Sequence, residues 1–133
     1  MTKKADPKWI LKETILSIQS ILISEHGGTS GIRDEGLLDS ALARPKNLHL
    51  YSETANIFEL ASSLGYSLIK NNPFIDGNKR VALTATAVFL DINGWILNAS
   101  EPEAVIVFTD LASNKLTEKE FVVWLKKNSM KNI

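Results

Sequence analysis

A chain of 133 residues with 44% hydrophobic content is long enough for one core and too apolar to be disordered, so residues 1–133 read as a single domain. Lysine plus arginine and aspartate plus glutamate each number 15, a balance that lacks the basic excess of a nucleic-acid binder. There is no cysteine, which excludes disulfides, thiolate nucleophiles and cysteine metal sites and suits a reducing, cytoplasmic setting.

The opening stretch, MTKKADPKWILKETILSIQSILIS, has the basic start of a leader peptide. Glu13 and Gln19 interrupt its apolar part and no small-residue cleavage site follows, so it reads as an amphipathic helix. Asp6 and Pro7 predict its N-cap and first residue, and His26-Gly27-Gly28 its end. Trp9, Ile10, Ile15, Leu16, Ile18, Leu22 and Ile23 form the apolar stripe between them. A polar loop, TSGIRDEG, leads into a short helix, GLLDSALAR, which Pro45 is expected to stop. The acids of Arg33-Asp34-Glu35 suit the positive end of that helix. Residues 45–53, PKNLHLYSE, predict an exposed flap. Thr54 is placed to cap the next helix, with Ile57, Leu60, Ala61, Leu64, Leu68 and Ile69 as its buried stripe and Phe58 on the flank. Pro73 ends that helix near Asn71-Asn72, because its ring pushes the preceding residue out of the helical region.

VALTATAVFLDI, from Val81, alternates enough to permit a strand. Its length between Gly77 and Gly94 and its alanines favour a helix apolar on nearly all sides, buried at the centre and stopped by Asn93-Gly94. Ser100-x-x-Glu103 and Thr117-x-x-Glu120 then read as capping boxes for two more helices, and only GWIL at 94–97 reads as extended. The sum is an all-α bundle of about six helices around a central buried helix. No apolar run reaches the roughly 18–20 residues that cross a bilayer.

The chemistry concentrates in NNPFIDGNKR, residues 71–80, at the break before the central helix. Phosphate binding needs backbone N–H groups converging on an anion, and a helix start preceded by glycine supplies them. Gly77 allows close approach, the amides around Gly77, Asn78 and Lys79 face the first turn, and Lys79 and Arg80 add positive charge. Asp76 fits beside a phosphate when a divalent cation lies between them. The residues therefore support a magnesium–nucleotide site, and equally an ordinary helix–helix connection built from Asn-Pro and Asp-Gly. Trp9, Trp95 and Trp124 read as packing residues.

This stretch resembles the signature of the Fic/Doc family, in particular its death-on-curing (Doc) branch, whose motif reads His-x-Phe-x-Asp-x-Asn-Lys-Arg. HGGTSGIRDEGLLDSALARP from His26 and the closing LTEKEFVVWL fit the same family, so the resemblance covers nearly the whole chain. It implies that Phe74 anchors the loop and Asp76 holds Mg²⁺. It further implies that Gly77 and Asn78 form the anion hole and that Lys79 and Arg80 contact the phosphates of ATP. AMP-transferring relatives carry a second arginine where this chain has Leu83, so the pattern is that of Doc, which transfers the γ-phosphate to a protein hydroxyl. The implied target is a threonine of translation elongation factor Tu, and the implied role is a toxin. The inhibitory motif of many Fic proteins has no match, since Gly31 stands where its hydroxyl residue belongs. Restraint would then fall to an antitoxin partner, Phd-like and partly disordered when free. No direct nucleic-acid or membrane partner is implied.

One position departs from the motif. Asn72 stands where the family has the histidine that removes the proton from the attacking hydroxyl. An amide binds a hydroxyl without accepting its proton near neutral pH. The resemblance thus implies a phosphotransferase impaired at one step; the alternatives are a pseudoenzyme that binds antitoxin or nucleotide and, less favoured, an AMP-transferase. His26 and His49 are the chain's two histidines, the first ending a helix and the second within reach of the site if the flap folds over it. Relatives often carry histidine at the place of Gln19, a difference that leaves the first helix intact but argues against a polar role there.

Overall fold

The computed structural model describes residues 5–133; the basic start on which the leader-peptide reading partly turned lies outside them. Six helices and a two-stranded sheet follow in the order α1 (Lys12–His26), α2 (Glu35–Tyr51), α3 (Ile57–Asn71), α4 (Asn78–Ile92), β1 (Trp95–Leu97), α5 (Glu101–Ala112), α6 (Glu118–Lys127) and β2 (Ser129–Lys131). The mostly helical fold, its helix number and the extended GWIL agree with the sequence. No helix of the described residues is long and apolar enough to cross a membrane.

The centre is a pair of helices. α4 is buried through Val81, Ala82, Ala85, Thr86, Phe89 and Leu90, and α3 is buried along still more of its length. α3 meets α2, α4, α5 and α6, while α4 meets α1, α3, α5 and β1. Small residues permit this crowding. A Cβ added to Gly65 would overlap the Thr86 hydroxyl and come within 3.3 Å of the Phe121 ring. The Thr86 hydroxyl cannot move freely, because it donates to the Ala82 carbonyl at 2.7 Å. Gly65→Ala is expected to destabilise the fold by about 1–3 kcal/mol through overpacking, measured by urea unfolding.

Four boundaries differ from the sequence reading. α1 begins at Lys12, with Leu11 as an N-cap lacking a side-chain bond, so Asp6 and Pro7 do not start it. The segment before it is held by tertiary contacts instead. Asn93 accepts from the Lys8 amide and donates to the Lys8 carbonyl, Trp9 stacks on Phe89, and Asp6 reaches His49 at 3.1 Å. α2 does not stop at Pro45 but runs on to Tyr51, so there is no flap over 45–53. A proline inside a helix costs about 3 kcal/mol. Here the ring is buried, Leu48 packs on the core, and Arg44 forks onto Glu118 at 2.7 and 2.8 Å. α3 is capped by Asn56 in a box with Glu59 rather than by Thr54, and Phe58 is buried against Trp95 rather than left on a flank. At α5 only half of the expected box forms: Ser100 accepts from the Glu103 amide, while the Glu103 carboxylate accepts from the Trp124 indole.

The box at α6 is complete. The Thr117 amide donates to Glu120 Oε1 at 2.9 Å and the Glu120 amide donates to Thr117 Oγ1 at 3.1 Å. The backbone bond from Thr117, then the bond to its side chain, hold the Glu120 carboxyl below its ordinary 4.5. A carboxyl depressed in the folded state stabilises above its unfolded value and loses that contribution as pH falls through the folded one. Glu120→Gln is therefore expected to flatten the part of the melting-temperature profile that lies below 4.5.

Candidate functional site

α3 runs out at Asn71, and the backbone reverses through Asn72 at φ 45°, ψ 56°, a left-handed conformation that asparagine tolerates. Pro73 cannot extend the helix. Phe74 then drives into the core at 1% exposure and bridges to Ile32 on the preceding loop. Gly77, at φ 80°, leads into α4, and its first turn has no side-chain cap. Asn78 closes the turn: its Oδ1 accepts from the Phe74 amide at 2.9 Å and its Nδ2 donates to the Phe74 carbonyl at 3.0 Å. The amides at the start of α4 are thereby held toward solvent with the positive end of the helix dipole behind them.

Around this turn Asn72, Asp76, Gly77, Asn78, Lys79 and Arg80, with Ile75, line one shallow depression of about 290 Å³. Phe74 lies beneath it as the buried support. Free amides, two exposed cations and one carboxylate in a single hollow are suited to a polyphosphate carrying a divalent cation. Among the described residues no three of His, Cys, Asp and Glu cluster as a metal cage. A lone carboxylate beside helix-start amides is a donor set that a magnesium ion taking most of its ligands from phosphate and water could use. Asn72 brings an amide, not a proton acceptor, to the rim.

Lys79 and Arg80 also border a groove of about 230 Å³ between α1, α4 and α5, with Leu22, His26, Leu83 and Phe108 in its walls. His26 is thus the histidine near the site. His49 is not: it sits on α2 against Trp9 and Asp6, and lines a hollow with Asn93. Asn93 follows the far end of α4, roughly 22 Å along that helix from the turn.

Two residues matter more here than their sequence suggested. Arg33 donates from Nε to the Asn72 carbonyl at 2.7 Å and from Nη2 to the Asn71 carbonyl at 2.9 Å, so its guanidinium holds the exposed end of α3. Its own amide and that of Asp34 donate to the Pro73 carbonyl at 2.7 and 3.0 Å. Gln19 is 2% exposed and bonds both to the loop after α1 and to the carbonyl of Asp76. The signal in the sequence was a lone amide inside an apolar stripe.

The profile of the Fic/DOC family matches residues 9–90. Toxin Doc of Mycolicibacterium smegmatis is 38% identical over 93 residues, 69% of this chain and 69% of that protein. Protein kinase doc of Escherichia phage P1 is 29% identical over 85 residues, 64% of this chain and 68% of that protein.

Proposed function

The chain belongs to the Fic/DOC family, and from that premise we propose that it is a Doc-type toxin built as a Mg-ATP-dependent protein phosphotransferase and slowed at proton removal by Asn72. The similarity to a toxin and to a protein kinase supports the class. The observation that carries the reading is the depression before α4, where the motif residues share one solvent-open hollow. The amides of the first turn with Gly77 and Asn78 bind the phosphate to be transferred. Lys79 and Arg80 balance the remaining phosphate charge, and Asp76 is the residue that would hold Mg²⁺. When bound, the metal neutralises charge that builds on the phosphate oxygens.

Leu83 argues for γ-phosphate rather than AMP transfer, since it puts an apolar side chain in the groove where AMP-transferring relatives have a cation. The substrate hydroxyl belongs to a threonine of elongation factor Tu, and a Phd-like antitoxin restrains the protein in the cytoplasm. Asn72 orients the hydroxyl without taking its proton. That same substitution favours a second reading, a pseudoenzyme that retains nucleotide or antitoxin binding alone.

The test uses elongation factor Tu, Mg²⁺ and ATP labelled at either the α or the γ position, with this chain and with Asn72→His. Label arriving from the γ position, and faster with the histidine variant, supports the phosphotransferase. Label from the α position replaces it with AMP transfer. No transfer by either protein, with antitoxin still bound tightly, leaves the pseudoenzyme.

A further inference from the structure

We infer that Gln19 is a positioning residue for Asp76, acting through the glycine-rich loop between α1 and α2; this rests on the proposed metal–nucleotide reading of the turn. The Gln19 side chain is buried, and all of its hydrogen-bonding capacity is engaged. Nε2 donates to the carbonyls of Thr29 at 3.4 Å and Asp76 at 3.2 Å. Oε1 accepts from the Ser30 hydroxyl and from the Gly31 amide, both at 3.3 Å. One amide thus ties α1 to residues 29–31 and ties both to the turn before α4. The loop in turn grips the carboxylate: the Thr29 amide donates to Asp76 Oδ2 at 2.7 Å.

The grip is close as well as polar. A Cβ added to Gly28, itself at φ +111°, would lie 3.2 Å from Asp76 Cβ and 3.3 Å from Oδ2. On the motif side, the Ile75 amide donates to the Gly31 carbonyl at 3.1 Å. The carboxylate is therefore held through one oxygen, Oδ2. A side chain on an exposed turn gains a single orientation before any cation arrives, which lowers the ordering cost of binding. A partner that orients a metal-binding carboxylate typically changes metal affinity by roughly 10–100-fold.

The experiment compares the wild-type chain, Gln19→Met and Gly28→Ala. Methionine keeps the buried volume and removes the amide; alanine at 28 disturbs the same contact from the exposed loop and serves if the first variant does not fold. ATP binding is measured by calorimetry with Mg²⁺ and with EDTA, and exchange of the Thr29 amide by NMR. The expected result is a loss of roughly 10–100-fold in the Mg²⁺-dependent affinity, unchanged binding in EDTA, and faster Thr29 exchange. Equal losses with and without Mg²⁺, or a lowered melting temperature alone, overturn the inference in favour of a structural role. If the wild-type chain binds no Mg-ATP, the nucleotide reading of the turn is lost. The Thr29 amide then decides separately, and unchanged exchange in both variants removes the positioning role.

Discussion

Asn72→His is expected to raise γ-phosphate transfer by roughly 10²–10⁴-fold, the usual worth of a positioned general base. That range corresponds to about 3–5 kcal/mol of barrier. The backbone need not change to receive the imidazole. Position 72 sits at φ 45°, where histidine is among the few non-glycine residues found repeatedly. Arg33 grips the carbonyl, not the side chain, so the same bond to position 72 survives. The side chain stands at the rim of the hollow that Asp76, Gly77 and Arg80 also line. Affinity for ATP should stay as it is, because the groups proposed to hold the phosphates are untouched. The variant should also acquire a pH dependence. Neutral imidazole is the base, so the rate rises through about pH 6.5 and falls as the ring protonates below it. The wild-type chain should lack that limb. A variant whose transfer rate and pH profile match the parent would mean that proton removal is not what the chain lacks.

Asp76→Ala is expected to remove the Mg²⁺-dependent part of ATP affinity, a loss larger than about 10-fold, while melting shifts little. The two effects separate because the side chain is exposed and its neighbour is replaceable. Its bond in the structure comes from the exposed Thr29 amide, which water can satisfy once the carboxylate is gone. The cost to stability should stay under about 1 kcal/mol. Calorimetry with Mg-ATP beside thermal unfolding reads both. A parallel fall in affinity and stability would assign Asp76 to the fold. Undiminished Mg-ATP affinity would remove it from the metal site.

The motif turn was legible because its rules are local. Pro73 ends one helix, Gly77 takes a left-handed φ and Asn78 starts the next, each within a few residues of the others. The cap at Thr117 and the stop at Asn93-Gly94 belong to the same class. The supports of the turn were not legible, because they come from distant segments. Gln19 reaches the Asp76 carbonyl across 57 positions, and Arg33 reaches the Asn72 carbonyl across 39. Nothing adjacent to either residue announces such a partner.

By itself the sequence determined the helical class, the burial of the helix that runs through VALTATAVFLDI, and the gathering of a carboxylate, a glycine, amides and two cations at residues 72–80. Those follow from periodicity, capping and side-chain identity, which act over one or two helical turns. Tertiary structure alone decided that α2 passes through Pro45, that Asp6 serves His49 instead of starting α1, and that His26 rather than His49 borders the site. In each case packing between remote segments outweighs a local preference worth only a few kcal/mol.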